Sequence, residues 1–324
     1  MLTRILSCLA VSFALGAPMT SAHAQAYPTG PITIVAPFPA GGTPDLVARI
    51  IAEKVSPILG APVVVEPKPG GNSNIGTTSV ANARPDGYTW LLATLSHTTS
   101  PILVKGVSWD PVNNFHGVAQ IATAPVVAVI PSSLPVNTLR EFVDLAKKTP
   151  GKLNYLMPGI GTSMHLNTEM LKRTADIDLF AIPYQGTPSG VPALLNGDLS
   201  FAMLPLSTAL PYLEKGNLKA LAVVSPTRIG EIPKVPTLKE AGFPEAQVLS
   251  WYAILVPANT PNAVVSKVNK ALNQAIADPE VKRRLQGLGV YATEPNTAEE
   301  TDIMLRNEAS RWRKTLKELK LEAQ

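Results

Sequence analysis

The residues from Ile32 to Arg49 set a buried strand, a tight turn and a helix in immediate succession, and no other stretch constrains the fold as strongly. Ile32-Thr33-Ile34-Val35 is β-branched throughout, as in a strand covered on both faces. Two prolines and two glycines then turn the chain sharply. Thr43-Pro44-Asp45 carries the marks of a helix start: Thr43 as N-cap, Pro44 at the first helical position, Asp45 at the positive end of the dipole. Val47, Ile51 and Val55 recur at helical spacing and give that helix one apolar face. Such a junction offers unpaired backbone N–H groups above the turn, a natural anion site. Neither the dinucleotide fingerprint nor the phosphate P-loop fits, because no Gly-Lys-Ser/Thr follows and no third glycine lies inside the helix. A purely structural βα turn is the competing reading.

The same alternation continues along the chain and predicts an α/β protein of repeated βα units with parallel sheets. Strands are expected at Ile32–Val35, Val63–Glu66, Tyr88–Ala93, Val126–Ile130, Asn154–Leu156, Leu179–Ile182, Ser200–Leu204 and Leu218–Val224. Helices are expected at Leu139–Thr149, Ser163–Thr174, Val191–Asn196 and Ala209–Lys215. From Trp251 the pattern reads as a strand and three helices, with Asp278-Pro279-Glu280 starting one and Thr297 and Glu300 at capping-box spacing starting the last. The 31 prolines are scattered at element ends, where they stop helices and stiffen turns.

The first residues read as an export leader. Arg4 supplies a short positive region, Ile5 to Ala17 an apolar core, and Ala22-His23-Ala24 a small-x-small cleavage site, which predicts cleavage after Ala24 and a mature start at Gln25. The apolar run is shorter than the roughly 20 residues a membrane span needs. The one cysteine, Cys8, leaves with the leader, so disulfides, thiolate metal sites and a cysteine nucleophile are excluded. The net charge of +4, one less without Arg4, comes with no basic cluster, which argues against nucleic-acid binding.

Six motifs stand in an order that resembles the periplasmic solute receptors of tripartite tricarboxylate transporters, also called Bug receptors. They are Pro37-Phe38-Pro39-Ala40-Gly41-Gly42-Thr43-Pro44-Asp45, Pro67-Lys68-Pro69-Gly70-Gly71-Asn72-Ser73-Asn74-Ile75-Gly76, Arg84-Pro85-Asp86-Gly87-Tyr88, Pro158-Gly159-Ile160-Gly161-Thr162-Ser163-Met164-His165-Leu166, Ile182-Pro183-Tyr184-Gln185-Gly186 and Asp278-Pro279-Glu280-Val281. The resemblance runs from Tyr27 to the C-terminal helix. It implies a two-lobed periplasmic binding protein of Venus flytrap type, each lobe a mostly parallel sheet flanked by helices. Residues 25–124 and 251–324 would form one lobe and residues 125–250 the other, with hinges near Thr123–Pro125 and Leu249–Trp251. It further implies a periplasmic, monomeric receptor without cofactor or metal, which binds a small organic carboxylate between the lobes and delivers it to membrane permease subunits.

Candidate binding residues follow from the motifs. Gly41, Gly42 and Thr43 would receive one carboxylate through their N–H groups and the Thr43 hydroxyl, with Phe38 against the carbon skeleton or in the core. Asn72 and Asn74 compete for the role of the asparagine that shapes the second loop, and Asn74 is favoured because it directly precedes Ile75-Gly76. Thr94, Ser96 and His97 follow the third strand and would enter the cleft, although a loop histidine is more often satisfied by its own protein. Gly161, Thr162 and Ser163 repeat the first junction from the other lobe, where capping and anion binding share one geometry. Tyr184 would supply an aromatic wall, and Gly186-Thr187 a close approach of backbone. Leu204 aligns with an acid found in many relatives; lining the cleft, it would favour an aromatic or aliphatic carboxylate lacking an ammonium group.

Two other classes compete. An exported hydrolase lacks support, since no Gly-x-Ser-x-Gly elbow exists and Ser163 and His165 are two apart on a predicted helix. After removal of the leader, His97, His116 and His165 are too scattered to suggest zinc. A receptor that docks on a sensor kinase would share the fold and cleft, and gene neighbourhood would separate it from a transport receptor.

Overall fold

The computed structural model describes residues 27–319 and residue 321; the expected leader and its cleavage after Ala24 lie outside the described residues. In chain order the first elements are β1 (Ile32–Ala36), α1 (Thr43–Leu59), β2 (Val63–Pro67), α2 (Asn74–Ala81), β3 (Thr89–Thr94), α3 (Ser96–Leu103) and β4 (Phe115–Ala124). There follow β5 (Val126–Pro131), α4 (Leu139–Lys148), β6 (Asn154–Met157), α5 (Ser163–Ala175), β7 (Phe180–Pro183), α6 (Thr187–Asn196), β8 (Ala202–Pro205), α7 (Leu206–Glu214) and β9 (Leu218–Val224). After a short 3-10 turn at Pro244–Ala246 come β10 (Ser250–Pro257), α8 (Asn262–Ala277), α9 (Pro279–Gln286), β11 (Tyr291–Ala292) and α10 (Ala298–Glu318).

These strands make two lobes. One is built on a six-stranded sheet in the order β11-β4-β10-β3-β1-β2; the other holds a three-stranded sheet β8-β5-β9 and the pair β6-β7. A parallel bridge between Tyr155 and Phe201 sets β6 beside the β8 end of the second sheet. Pairing is parallel for β1–β2, β1–β3 and β6–β7. It is antiparallel where β10 meets β3 and β4, and where β5 meets β8 and β9. The expectation of mostly parallel sheets is therefore corrected to mixed ones. Only strands joined by a helical crossover need run parallel, and β4 and β10 enter the first sheet at the points where the chain leaves for, and returns from, the second lobe.

The core explains why these residues form these elements. Val47, Ile51 and Val55 of α1 are fully buried against Ile32, Ile34 and Trp90 of the sheet, and each such side chain contributes about 1.5–3 kcal/mol by leaving water. The capping box of α10 forms as spaced: Glu300 N–H donates to Thr297 Oγ1 at 3.1 Å and Thr297 N–H to Glu300 Oε2 at 2.7 Å. Asp278 caps α9 through the Glu280 and Val281 N–H groups. Strand β4 has no counterpart among the expected strands, because His116, Gly117 and Gln120 break its apolar run. A further apolar cluster draws on both lobes, with Leu166 of α5 and Val248 packed among Val35, Leu91, Leu95 and Trp251.

Candidate ligand-binding site

The turn after β1 is tighter and more self-contained than its sequence suggests. Gly41 adopts φ 77°, where an L side chain is strained, and its N–H donates to Asp45 Oδ2 at 2.9 Å. Gly42 N–H donates to the Pro39 carbonyl at 3.3 Å. Both glycine donors expected to meet a carboxylate are thus already used inside the turn. Gly42 is the N-cap of α1, so Thr43 stands one position inside the helix and does not cap it. Thr43 is half-buried and its hydroxyl makes no hydrogen bond among the described residues. Phe38, five residues earlier in the same turn, is also half-buried.

Asp45 organises this turn. Its side chain is 2% exposed, and Oδ2 also accepts from Arg49 Nε at 2.9 Å. Burial by itself would raise its pKa, but the hydrogen bonds from Arg49 and Gly41 and the Arg49 charge outweigh that and hold it below the ordinary carboxylate range. Asp45 is therefore an anion that shapes the loop.

In the second loop four successive residues, Gly70 to Ser73, take positive φ. That path swings Asn72 toward the other lobe: its Nδ2 donates to the Ile160 carbonyl at 2.7 Å and to Ser100 Oγ at 3.2 Å. Asn74 instead turns inward, its Oδ1 accepting from Trp109 Nε1 at 2.8 Å and Thr78 Oγ1 at 3.0 Å. The preference for Asn74 is corrected, since its Oδ1 is held within its own lobe and Asn72 is the asparagine that bonds across to the other.

After β3, Thr94 is half-buried, whereas Ser96 and His97 are buried in α3. His97 stacks on Trp109 at 5.0 Å and meets Phe115 edge-on at 4.6 Å, and its Nε2 hydrogen-bonds the Pro111 carbonyl at 2.9 Å. Burial pushes its pKa down to about 4. His97 is a neutral core histidine, and its expected place in the cleft is corrected.

The second-lobe loop meets this surface. Thr162 caps α5, its Oγ1 accepting from His165 N–H at 3.3 Å and donating to the Gly159 carbonyl at 2.8 Å. The Gly161 carbonyl accepts from Thr99 Oγ1 of the first lobe at 2.9 Å. A Cβ on Gly161 would stand 2.7 Å from that same oxygen, so only glycine permits the approach. Ser163 is buried, with its hydroxyl toward the Met164 sulfur at 3.3 Å. Tyr184 is half-buried beyond β7, and Thr187 is buried at the first turn of α6. Leu204 is fully buried on β8 among Val127, Val129, Leu156 and Val191. Its side chain belongs to the packed interior, which corrects the expectation that it lines the cleft.

Hydrogen bonds thus join the 70–74 loop and α3 of one lobe to the 159–162 loop of the other. Asn72 was one of two open candidates, while Thr99 and Ser100 were overlooked. The signal for them was the run Ser96-His97-Thr98-Thr99-Ser100, five successive polar residues that the fold buries completely.

Two lobes joined by adjacent strands, with glycine-rich helix starts near their junction, define the periplasmic binding protein class. The chain belongs to the tripartite tricarboxylate transporter family of receptors, whose model matches residues 47–321. Its fold is similar to that of the periplasmic binding protein BugD, at 33% identity and a TM-score of 0.82 over 92% of this chain and 100% of that one. It is similar to an R. palustris protein with adipate, at 28% identity and a TM-score of 0.84 over 92% and 100%. It also resembles MatC from Rhodopseudomonas palustris with bound malate, at 30% identity and a TM-score of 0.80 over 89% and 99%.

Proposed function

We propose that this chain is a periplasmic receptor that holds one small organic carboxylate between its lobes and delivers it to tripartite tricarboxylate-type permease subunits, as a monomer and without catalysis. In this reading the leader is removed after Ala24, residues 25–124 and 251–324 make the first lobe, and residues 125–250 make the second. The observation that carries it is that two family-like structures, matched nearly end to end, hold the dicarboxylates adipate and malate.

Within the site, the starts of α1 and α5 supply the donors. Thr43 offers a hydroxyl group, the Thr162 hydroxyl being committed to the Gly159 carbonyl, and the first-turn N–H groups of both helices favour an anion. Phe38, Tyr184 and Thr187 flank the carbon skeleton, and Thr94 lies at the first-lobe end. With the Gly41 and Gly42 N–H groups committed inside their turn, ordered water completes the carboxylate's hydrogen bonds.

Calorimetry against a panel of organic acids, adipate and malate included, tests the reading. One acid bound at about one per chain, with a smaller scattering radius at saturation, is the expected result. Binding confined to sugars or other neutral compounds would overturn it.

A further inference from the structure

The two helix-start loops are fastened by the same device with different chemistry. In the first lobe Gly41 N–H donates to the side chain four residues on, Asp45 Oδ2, at 2.9 Å. In the second, Gly161 N–H donates to the side chain four residues on, His165 Nδ1, at 3.2 Å. Both glycines sit at nearly the same positive φ, 77° and 73°. A carboxylate accepts over the whole physiological range, whereas an imidazole nitrogen accepts only while it carries no proton. The adjoining carbonyls carry two of the hydrogen bonds between the lobes: Ile160 accepts from Asn72 and Gly161 from Thr99.

We propose that neutral His165 is the positioning residue of the Gly159–Thr162 loop, keeping the Ile160 and Gly161 carbonyls on Asn72 and Thr99, and that a proton taken from solvent onto its Nδ1 frees the loop and lets the lobes part. The proposal deepens the receptor reading and rests on it only for what closure accomplishes. With Nδ1 accepting, the ring's own proton sits on Nε2. Protonation would place two N–H donors face to face, so the Gly161 N–H loses its partner. The Asp45 fastening of the first-lobe turn stays intact through the same change, so one loop is released and the other is not.

The surroundings favour the neutral ring. Burial lowers the His165 pKa; Glu169, one turn on, acts to raise it and Lys172 to lower it. Those two groups are tied to each other at 2.9 Å, and Tyr155 of β6 donates to Glu169 at 2.7 Å. From the first lobe, α3 brings Thr99 and Leu103 against the loop and the second loop brings Asn72, none of which titrates. The 3-10 turn packed on α5 carries Glu245, exposed to solvent, and β8 carries no ionisable residue. Further along α5, Arg173 pairs with Glu318 of α10 at 3.2 Å.

The experiment reads the unliganded protein between about pH 7.5 and about pH 4.5, spanning the ordinary histidine range. Nitrogen NMR follows the His165 ring, hydrogen exchange the Gly161 amide, and small-angle scattering the separation of the lobes. The expected result is an Nε2–H tautomer at neutral pH. On acidification, Gly161 protection should fall at least about tenfold and the radius should grow, both on the His165 titration curve and with a midpoint below the ordinary value. His165→Asn, whose side-chain oxygen can replace Nδ1 without titrating, should keep Gly161 protected throughout.

Three results would each overturn the proposal: an Nδ1–H tautomer at neutral pH, titration of His165 with radius and protection unchanged, or opening of His165→Asn along the wild-type curve. Should the asparagine variant fold poorly, the coincidence or divergence of the three wild-type curves decides. Failure of the receptor reading would look different, as an intact acid transition in a protein that binds no carboxylate.

Discussion

Asn72 Nδ2 lies 2.7 Å from the Ile160 carbonyl oxygen, a hydrogen bond between residues 88 apart in sequence and on opposite lobes. Together with the Thr99–Gly161 bond it fixes where the two helix-start loops stand relative to each other. The juxtaposition of the lobes is thus supported partly by the protein's own groups, and in the receptor reading ligand affinity inherits whatever those groups contribute.

Replacing Asn72 and Asn74 should separate the two roles. Asn72→Ala removes the interlobe bond, and its effect should fall on ligand affinity, by about 1 kcal/mol or roughly fivefold, with little change in folding stability. Asn74→Ala leaves the Trp109 indole N–H unpartnered in the first lobe, so unfolding by urea should show a loss of about 1–3 kcal/mol. Equal effects of the two variants on both measurements would contradict this division.

Thr43→Val tests the first-lobe donor. The variant keeps the shape of the side chain and removes a hydroxyl that no described residue uses. Calorimetry should show every carboxylate weakened alike, by about 1.5–3 kcal/mol for one hydrogen bond to a charged group. The melting temperature without ligand should barely move. Selective loss of a single acid would place Thr43 outside the carboxylate subsite.

Leu204 carries a folding prediction. Leu204→Ala should cost about 2–5 kcal/mol through the cavity left among Val127, Leu156 and Val191. Leu204→Asp should cost more, because the carboxylate would enter a fully apolar cluster, and the variant should fail to give a cooperative melt. A well-folded Leu204→Asp protein with altered ligand preference would return this residue to the cleft.

Two histidines should bend the stability profile in opposite directions. His97 has a folded pKa of about 4, set by burial, so the unfolded chain takes up its proton first. The stability it contributes is present above about pH 6.5 and is lost as pH falls from there toward 4, on the order of 3 kcal/mol in all. His116 behaves oppositely. Asp302, at 2.9 Å from its Nδ1, raises its pKa by hydrogen bonding and charge. Its contribution is present below the unfolded pKa and is lost as pH rises through the raised one. Denaturation of His116→Gln should therefore show a larger deficit near pH 5.5 than near pH 8.5, and His97→Gln a shallower acid limb.

Local chemistry in the sequence announced much of this. The caps of α9 and α10, the apolar face of α1 and the helix start after Gly161 all follow from side-chain type and spacing, so the roles of Asp278, Thr297 and Ile51 could be read directly. What escaped depends on neighbours distant in the chain. Whether Asn72 or Asn74 faces the other lobe is decided by four successive positive φ angles, and nothing in two nearby asparagines reveals that path. His97 looks like a loop residue until α3 forms and Trp109 and Phe115 close around it. Gly41 and Gly42 look like free donors until Asp45 folds back on the first, a contact that the charge of Asp45 hinted at. Strand β4 was hidden because His116 and Gln120 interrupt its apolar run.

The pairing of Ala124 with Ser250 across β4 and β10 means that the chain departs and comes home at one spot. Neighbouring antiparallel residues lie about 4.5–5.5 Å apart, a gap that a hairpin turn could span. Everything between those two residues is, in architectural terms, a cassette plugged into a single socket. The entropy of closing such a loop grows only with the logarithm of its length, so the host sheet is nearly indifferent to how large the cassette is. Whole-lobe exchange between relatives at that socket is accordingly a route by which half of a binding surface could be replaced, provided the incoming lobe repacks the Leu166 and Val248 contacts with Val35, Leu91 and Trp251.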